Sequence, residues 1–355
     1  MLRRSAVLLI LAFALTTLGV RAQSVNTDET IKIDTRLVSV PVIVSDRNGR
    51  YVPNLAATDF TVWQDGVRQN IEFFGAAEEP LTVALLIDTS QSTRPVLDDI
   101  KDSARSFIKL LLPQDRAMIV SFDYDTHVLN PLTSDQEQLK NAIKRAEIPD
   151  GLFGTTLRDA AFQTVNRSFA GIKGRKAVII LTDGKDFGSR ISSRELIYSL
   201  QETDTLIYTI MFKTDDRPGR GPARFPGGGG RNGGIFGGGF PRRGGRFPGG
   251  GFPPVQNRRD NPRRTDRVER ENETAEEFLQ ELSDTTAGRF YSSKDGKLKN
   301  TFASIVEELR FQYRLGFYPP EETDEKTLHE LKVKLARSDT VVRARSGYRV
   351  QKKTN

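Results

Sequence analysis

Three short stretches of this 355-residue chain combine the residue types that hold hard cations. Asp88-Thr89-Ser90-Gln91-Ser92 offers one carboxylate and two hydroxyls at alternate positions. Gly154-Thr155-Thr156 adds hydroxyls after a glycine, and Thr182-Asp183-Gly184 adds a second carboxylate. Oxygen donors of this kind suit Mg²⁺, Mn²⁺ or Ca²⁺ rather than a soft metal. With two carboxylates among its ligands, a bound cation would keep water positions, and a carboxylate from a partner could fill one of them. The chain has no cysteine and two histidines, His127 and His329. Disulfides, thiolate sites and zinc sites with several imidazoles are thereby excluded.

Each stretch also has an ordinary reading. Aspartate and serine are favoured at helix N-termini, and Asp183-Gly184 alone would serve as a turn. The three together argue for a site. Catalysis finds little support. A phosphotransferase built on an aspartate at a strand end needs a second aspartate two residues on, where Ser90 stands, and Lys185-Asp186 is a weak match to its downstream lysine and acids. A serine hydrolase needs a Gly-x-Ser-x-Gly elbow, which is missing. We therefore expect no enzyme. Asp123 and Asp125 read as solvated loop acids, His127 as an edge-strand residue, Trp63 as core, and His329 as a turn residue without a role.

The elements that must position these stretches follow from periodicity. Leu81–Ile87, Ala177–Leu181 and Leu206–Phe212 are near-continuous apolar runs, as strands buried on both faces require. Ala117–Phe122 reads as another strand, with His127–Leu132 as a short edge strand beside it. Val96, Ile100, Ala104, Phe107, Ile108 and Leu111 fall at helical spacings. Helices are also predicted at 139–146, 157–169, 194–201, 275–282 and 298–309, and a short strand at 289–291. This alternation predicts a doubly wound, mostly parallel α/β sheet. In such a sheet, loops at the carboxyl ends of neighbouring strands share one crevice, so the three stretches are expected to converge.

The flanks have period two instead. Val38, Val40, Val42 and Val44 alternate, Asp46-Arg47-Asn48-Gly49 and Asp65-Gly66 read as turns, and 51–54, 60–63 and 71–74 read as extended. Phe311, Tyr313, Leu315 and Phe317 alternate, as do Leu331, Val333 and Leu335, and 341–350 reads as a last extended run. A β region of some 45 residues is marginal alone. We expect residues 31–76 and 311–350 to complete one small β domain, with the α/β domain at 80–309 inserted between its halves.

Two segments stand apart. Residues 1–22 combine Arg3 and Arg4, an apolar run to Val20, and Val20-Arg21-Ala22, the pattern of a secretory signal cut after Ala22. The mature product is expected to be secreted or periplasmic, without stable membrane insertion. Residues 214–267 hold sixteen Gly, twelve Arg and five Phe against four Asp, a composition expected to stay disordered. Much of the net charge of +7 sits there, so the folded body is mildly acidic, and no nucleic-acid partner is expected.

In order and spacing, the three loops resemble the metal-ion-dependent adhesion site of the von Willebrand factor type A domain, a Rossmann-like fold, over about 80–309. The resemblance implies Asp88, Ser90, Ser92, Thr155 and Asp183 as the metal ligands, with Thr155 favoured over Thr156 by its place after the glycine. It implies Mg²⁺ first, with Mn²⁺ or Ca²⁺ also fitting. It also implies adhesion or assembly through a protein ligand offering an Asp or Glu carboxylate; the competing readings are a structural scaffold of envelope complexes with a non-adhesive or degenerate metal site and, with less support, a metal-dependent hydrolase. The flanks, with Val40-Pro41-Val42, Asp59-Phe60, Tyr313-Arg314-Leu315-Gly316-Phe317-Tyr318-Pro319 and Ser346-Gly347-Tyr348, resemble exported bacterial proteins of the von Willebrand type A-related kind common in acidobacteria.

Overall fold

The computed structural model describes residues 37–75, 79–151, 153–212, 262–293, 298–320, 323–324 and 327–350, with backbone alone at 262–273 and 293. The expected signal at 1–22, and the expected disordered segment as far as residue 261, lie outside these residues.

Strand β5 (Leu81–Asp88) is buried along its whole length at the centre of a six-stranded sheet. Its neighbours are β6 (Arg116–Phe122) and β8 (Arg175–Thr182), both parallel to it. β9 (Leu206–Phe212) and β10 (Arg289–Ser293) extend the sheet in parallel beyond β8. β7 (Thr126–Thr133) closes the other edge, antiparallel to β6. The alternation of side chains in β5 sorts the core into two layers. Val83, Leu85 and Ile87 pack with α1 (Leu97–Ile108), α2 (Gln136–Lys144) and α6 (Leu298–Arg310). Ala84 and Leu86 face α3 (Leu157–Gln163), α4 (Ser193–Gln201) and α5 (Pro262–Thr285). The expected doubly wound α/β fold is present.

Two four-stranded sheets make up the rest. One has the order β13 (Thr340–Ala344), β1 (Val38–Asp46), β11 (Gln312–Phe317), β4 (Phe73–Gly75). The other runs β14 (Gly347–Tyr348), β12 (His329–Leu335), β2 (Phe60–Gln64), β3 (Val67–Gln69). Val40, Val42 and Val44 share a core with Phe60, Val62, Leu315, Phe317 and Leu331. Strands from both ends of the described chain thus form one β domain, and the α/β domain is inserted within it. Asp65 and Gly66 turn β2 into β3 with φ of 50° and 82°, the left-handed geometry that a tight hairpin needs.

Several expectations shift. Helix α5 starts at Pro262 rather than near Ala275, so 262–267 are helical and not part of a disordered stretch. Residues 51–54 make only a single bridge, Tyr51 to Ser45. The run at 341–350 breaks at Arg345 and Ser346 and gives its halves to different sheets. Trp63 is not core. Its neighbours Val62 and Gln64 are buried, and alternation puts Trp63 on the outer face, where the Lys334 ammonium stands 5.1 Å from its ring centre. His329 is buried, bonded through Nδ1 to Asp65 (2.8 Å) and through Nε2 to the Asp324 carbonyl (2.8 Å).

Buried charges join the two domains. Glu308 on α6 is fully buried and accepts from the Tyr208 hydroxyl (2.6 Å) and the Tyr51 hydroxyl (3.2 Å), with the Arg289 and Arg343 guanidiniums beside it. Arg345, between β13 and β14, donates to the carbonyls of Thr203 (2.7 Å) and Ser39 (2.8 Å). Arg175 donates to the carbonyls of Glu79 (2.7 Å) and Leu309 (2.6 Å). Apolar packing crosses the junction too, since Ile43 of β1 belongs to the α/β core.

Candidate functional site

β5 is the strand at which the sheet order reverses, with β6 on one side and β8 on the other. Strand-end loops on either side of such a point diverge and leave a crevice. Asp88 is the last residue of β5 and Thr182 the last of β8, so the first and third stretches meet at adjacent strand ends. The Thr182 hydroxyl donates to Asp88 Oδ2 at 2.6 Å, and the Ser90 N–H donates to Asp88 Oδ1 at 2.9 Å. The Ser90 and Ser92 hydroxyls lie 3.0 Å apart. Thr93 holds the turn shut, donating to the carbonyls of Asp88 (3.1 Å) and Ser90 (2.8 Å).

Gly154-Thr155-Thr156 arrives by a different route. Thr156 donates through its N–H (2.7 Å) and its hydroxyl (3.1 Å) to the carbonyl of Asp123, just past β6. The Thr155 carbonyl accepts from the N–H groups of Phe187 and Gly188, both at 3.1 Å, in the loop after β8. The structure thus draws Asp88, Ser90, Ser92, Thr155 and Asp183 to one end of the sheet, and turns the Thr156 hydroxyl toward the backbone. Asp88, Ser90, Thr155 and Asp183 are buried and Ser92 is partly so.

The electrostatics follow from that burial. Desolvation and the facing charge of Asp183 push Asp88 up to about 7, against the opposing bonds from Ser90 and Thr182. The Lys185 ammonium lies 3.5 Å from Asp183 Oδ2. Two buried carboxylates facing one another beside grouped hydroxyls form an oxygen-only donor set that a small divalent cation fits. Among the described residues no group of three or more His, Asp or Glu side chains has metal-holding geometry, so hydroxyls would have to complete any such site.

Some residues carry more than their sequence suggested. Asp123 is not solvated: it is buried, accepts from the Thr89 hydroxyl (3.0 Å), and lies 3.3 Å from His127 Nε2. Asp186, weighed above only as a catalytic acid, accepts from the N–H of Arg158 (2.9 Å) at the start of α3 and from the Ser189 hydroxyl (2.7 Å). Asp159 accepts from the N–H of Arg190 (3.0 Å) and of Ile191 (2.9 Å). These carboxylates seat the loop after β8 against α3. Apart from the Ser189 bond no local motif marks them, because the other partners lie 28 to 32 residues away.

Residues 83–185 match the model of the von Willebrand factor type A domain. A search of curated proteins gives no match. Among solved structures, the chain is similar to an aerotolerance-related membrane protein from Bacteroides fragilis, at 17% identity and a TM-score of 0.43, over 64% of this chain and 98% of that one. It is similar to the vWF domain of the type V pili tip protein Mfa5 from Porphyromonas gingivalis, at 13% identity and a TM-score of 0.42, over 64% and 94%. It is also similar to proximal thread matrix protein 1 from the mussel byssus, described with a zinc-occupied MIDAS motif, at 15% identity and a TM-score of 0.44, over 69% of this chain and 49% of that one. The stretch 83–185, which holds all three loops of the cleft, is similar to the von Willebrand factor type A domain.

Proposed function

We propose that this protein is an exported binding module that holds a divalent cation between Asp88, Ser90, Ser92, Thr155 and Asp183 and uses it to engage a carboxylate of a partner protein. The observation that carries this reading is the meeting of two buried carboxylates, Asp88 and Asp183, with the Ser90 and Ser92 hydroxyls and Thr155 at the strand ends around β5. Facing like charges away from water are relieved either by a proton or by a bound cation. Its chemistry there would be to polarise an incoming carboxylate, with Mg²⁺ or Mn²⁺ preferred to Ca²⁺ in so small a donor set. Asp88 and Asp183 would supply the charge, the hydroxyls the neutral donors. Export rests on the residue pattern of 1–22; among the described residues no helix is long and apolar enough to cross a membrane.

A second reading has its own support. Asp88 already accepts two hydrogen bonds and Asp183 is paired with Lys185, so the cleft side chains satisfy one another. That is the arrangement of a scaffold with a degenerate site. Calorimetric titration of the metal-stripped protein with Mg²⁺, Mn²⁺ and Zn²⁺, with Asp88→Ala alongside, separates the two. We expect saturable one-site binding of Mg²⁺ and Mn²⁺ that is lost in the variant. No heat in either protein would leave the scaffold reading standing.

A further inference from the structure

Three bulky aromatic side chains stand in water around the cleft. Phe153 is 81% exposed, Phe187 76% and Tyr124 45%. They come from three different loops: after β6, before α3, and after β8. Those loops are fastened together at the backbone, so the three aromatics project from one joined set of loops. Gly154 sits so close to Tyr124 that a Cβ there would lie 3.2 Å from the Tyr124 Cα, and Phe153 precedes that glycine. The Phe187 N–H bonds the Thr155 carbonyl, and the Thr156 N–H bonds the carbonyl of Asp123, next to Tyr124. Thr155, one of the five residues of the cleft, is therefore tied to Phe187 by a hydrogen bond and lies two residues from Phe153.

Scattered exposed apolar residues are normal on a folded surface, but an apolar rim around a concave polar site marks an interaction surface. Aromatic anchors of low conformational entropy supply much of the binding energy in such interfaces. The rim also carries acids: Asp125 is exposed beside Tyr124, and Asp150 is exposed in the stretch where Gln91 bonds the Pro149 carbonyl. Exposed acids disfavour an anionic bilayer. They would also repel an acidic peptide unless a cation sits in the cleft.

We infer that the cleft and its aromatic rim together recognise one kind of partner: an exposed protein segment whose Asp or Glu is flanked, within two residues, by bulky apolar side chains. The carboxylate enters the cleft while the flanking side chains pack on Phe153, Phe187 and Tyr124. This inference rests on the cation reading above for its central contact, but the rim contributes through packing and does not depend on which cation is bound.

The test uses the full chain and an array of immobilised decapeptides with central Asp or Asn, flanked by Phe, Leu or Ser, in Mn²⁺ or in EDTA. The Asp peptides with Phe or Leu flanks should retain the protein at least about tenfold better than the Ser-flanked set. Phe153→Ser/Phe187→Ser should reduce that retention to the level of the Ser-flanked peptides. Both residues are largely exposed, so its melting temperature and its Mn²⁺ titration should match the wild type, which separates loss of the rim from loss of the cleft. Equal retention on all flanks, with the Asp and Mn²⁺ dependence kept, would overturn the rim inference and leave the cation reading intact. Flank preference without Asp or Mn²⁺ dependence would keep the rim and overturn the cation reading. Retention on no peptide, or Phe-dependent binding to phosphatidylcholine vesicles instead, would overturn the inference.

Discussion

Asp88 is held by Thr182 and Ser90 in a place where its charge is poorly solvated and faces that of Asp183. Asp88→Asn keeps the shape and removes that repulsion. The variant should melt no lower than the metal-stripped wild type, and Mn²⁺ should raise the melting temperature of the wild type alone. A Mn²⁺-induced shift in Asp88→Asn would dissociate the residue from the cation. Lys185 acts in the opposite sense. Its ammonium, 3.5 Å from Asp183, competes with any cation for that carboxylate. Lys185→Met should therefore tighten Mn²⁺ binding by roughly tenfold in calorimetry, a factor in keeping with one charge removed at that range in a partly solvated cleft. The meeting of the five candidate residues at one end of the sheet was legible in sequence because short runs of hydroxyl and carboxylate residues stand at the ends of recognisably buried strands. Asp123, Asp159 and Asp186 were not, because each acts on backbone or side chains brought near only by the fold.

Loops and hairpins set how firmly these residues are held. The loop after β8 turns at Gly184, where φ is +82° and a Cβ would lie 2.8 Å from that of Ala275 on α5. Gly184→Val meets both a disallowed backbone and a helix that cannot retreat. We expect a loss of about 2–4 kcal/mol in urea unfolding, together with weaker cation binding, since Asp183 is the adjacent residue. The β2–β3 hairpin carries a pH dependence. Burial opposes charging His329, but the Asp324 carbonyl and the Asp65 carboxylate outweigh it and raise its pKa, while the same imidazole lowers that of Asp65. The histidine's contribution is full below its unfolded value of about 6.5 and disappears as pH rises through the folded value; the aspartate's is full above about 3.9 and disappears as pH falls. Asp65 is half-exposed, so solvent screening keeps the effect under about 1 kcal/mol. The urea midpoint should fall slightly between pH 5.5 and 8.5 in the wild type, and this component should vanish in His329→Gln. The strands were easier to read than these ties. Period two located β1, β2, β11 and β12, but it could not show that Arg345 breaks the last run by turning inward, or that Trp63 faces out.

At the scale of the molecule, the two domains share buried structure. Glu308 bonds Tyr208 of one domain and Tyr51 of the other, and Arg345 spans Thr203 and Ser39. Removing one partner from a buried charge cluster strands the others, so Glu308→Ala should cost about 3–5 kcal/mol. The sole tryptophan, Trp63, lies in the β domain, while the described α-helices lie in the α/β domain. Trp63 fluorescence and circular dichroism at 222 nm should therefore trace one coincident urea transition in the wild type. Separate midpoints would show that the junction does not couple the domains. The insertion itself has a consequence in time. Among the described residues, β1 makes its ladders with β11 and β13, and β2 pairs with β12, across roughly 270 to 300 residues. In a chain delivered from its N-terminus, the valine-rich β1 has neither of its long partner strands until residues beyond 311 have followed. The α/β domain is itself complete only when α6 ends at Arg310, and β11 begins at Gln312, so the inserted domain and the frame around it close almost together, and until they do the chain carries an open, apolar strand edge.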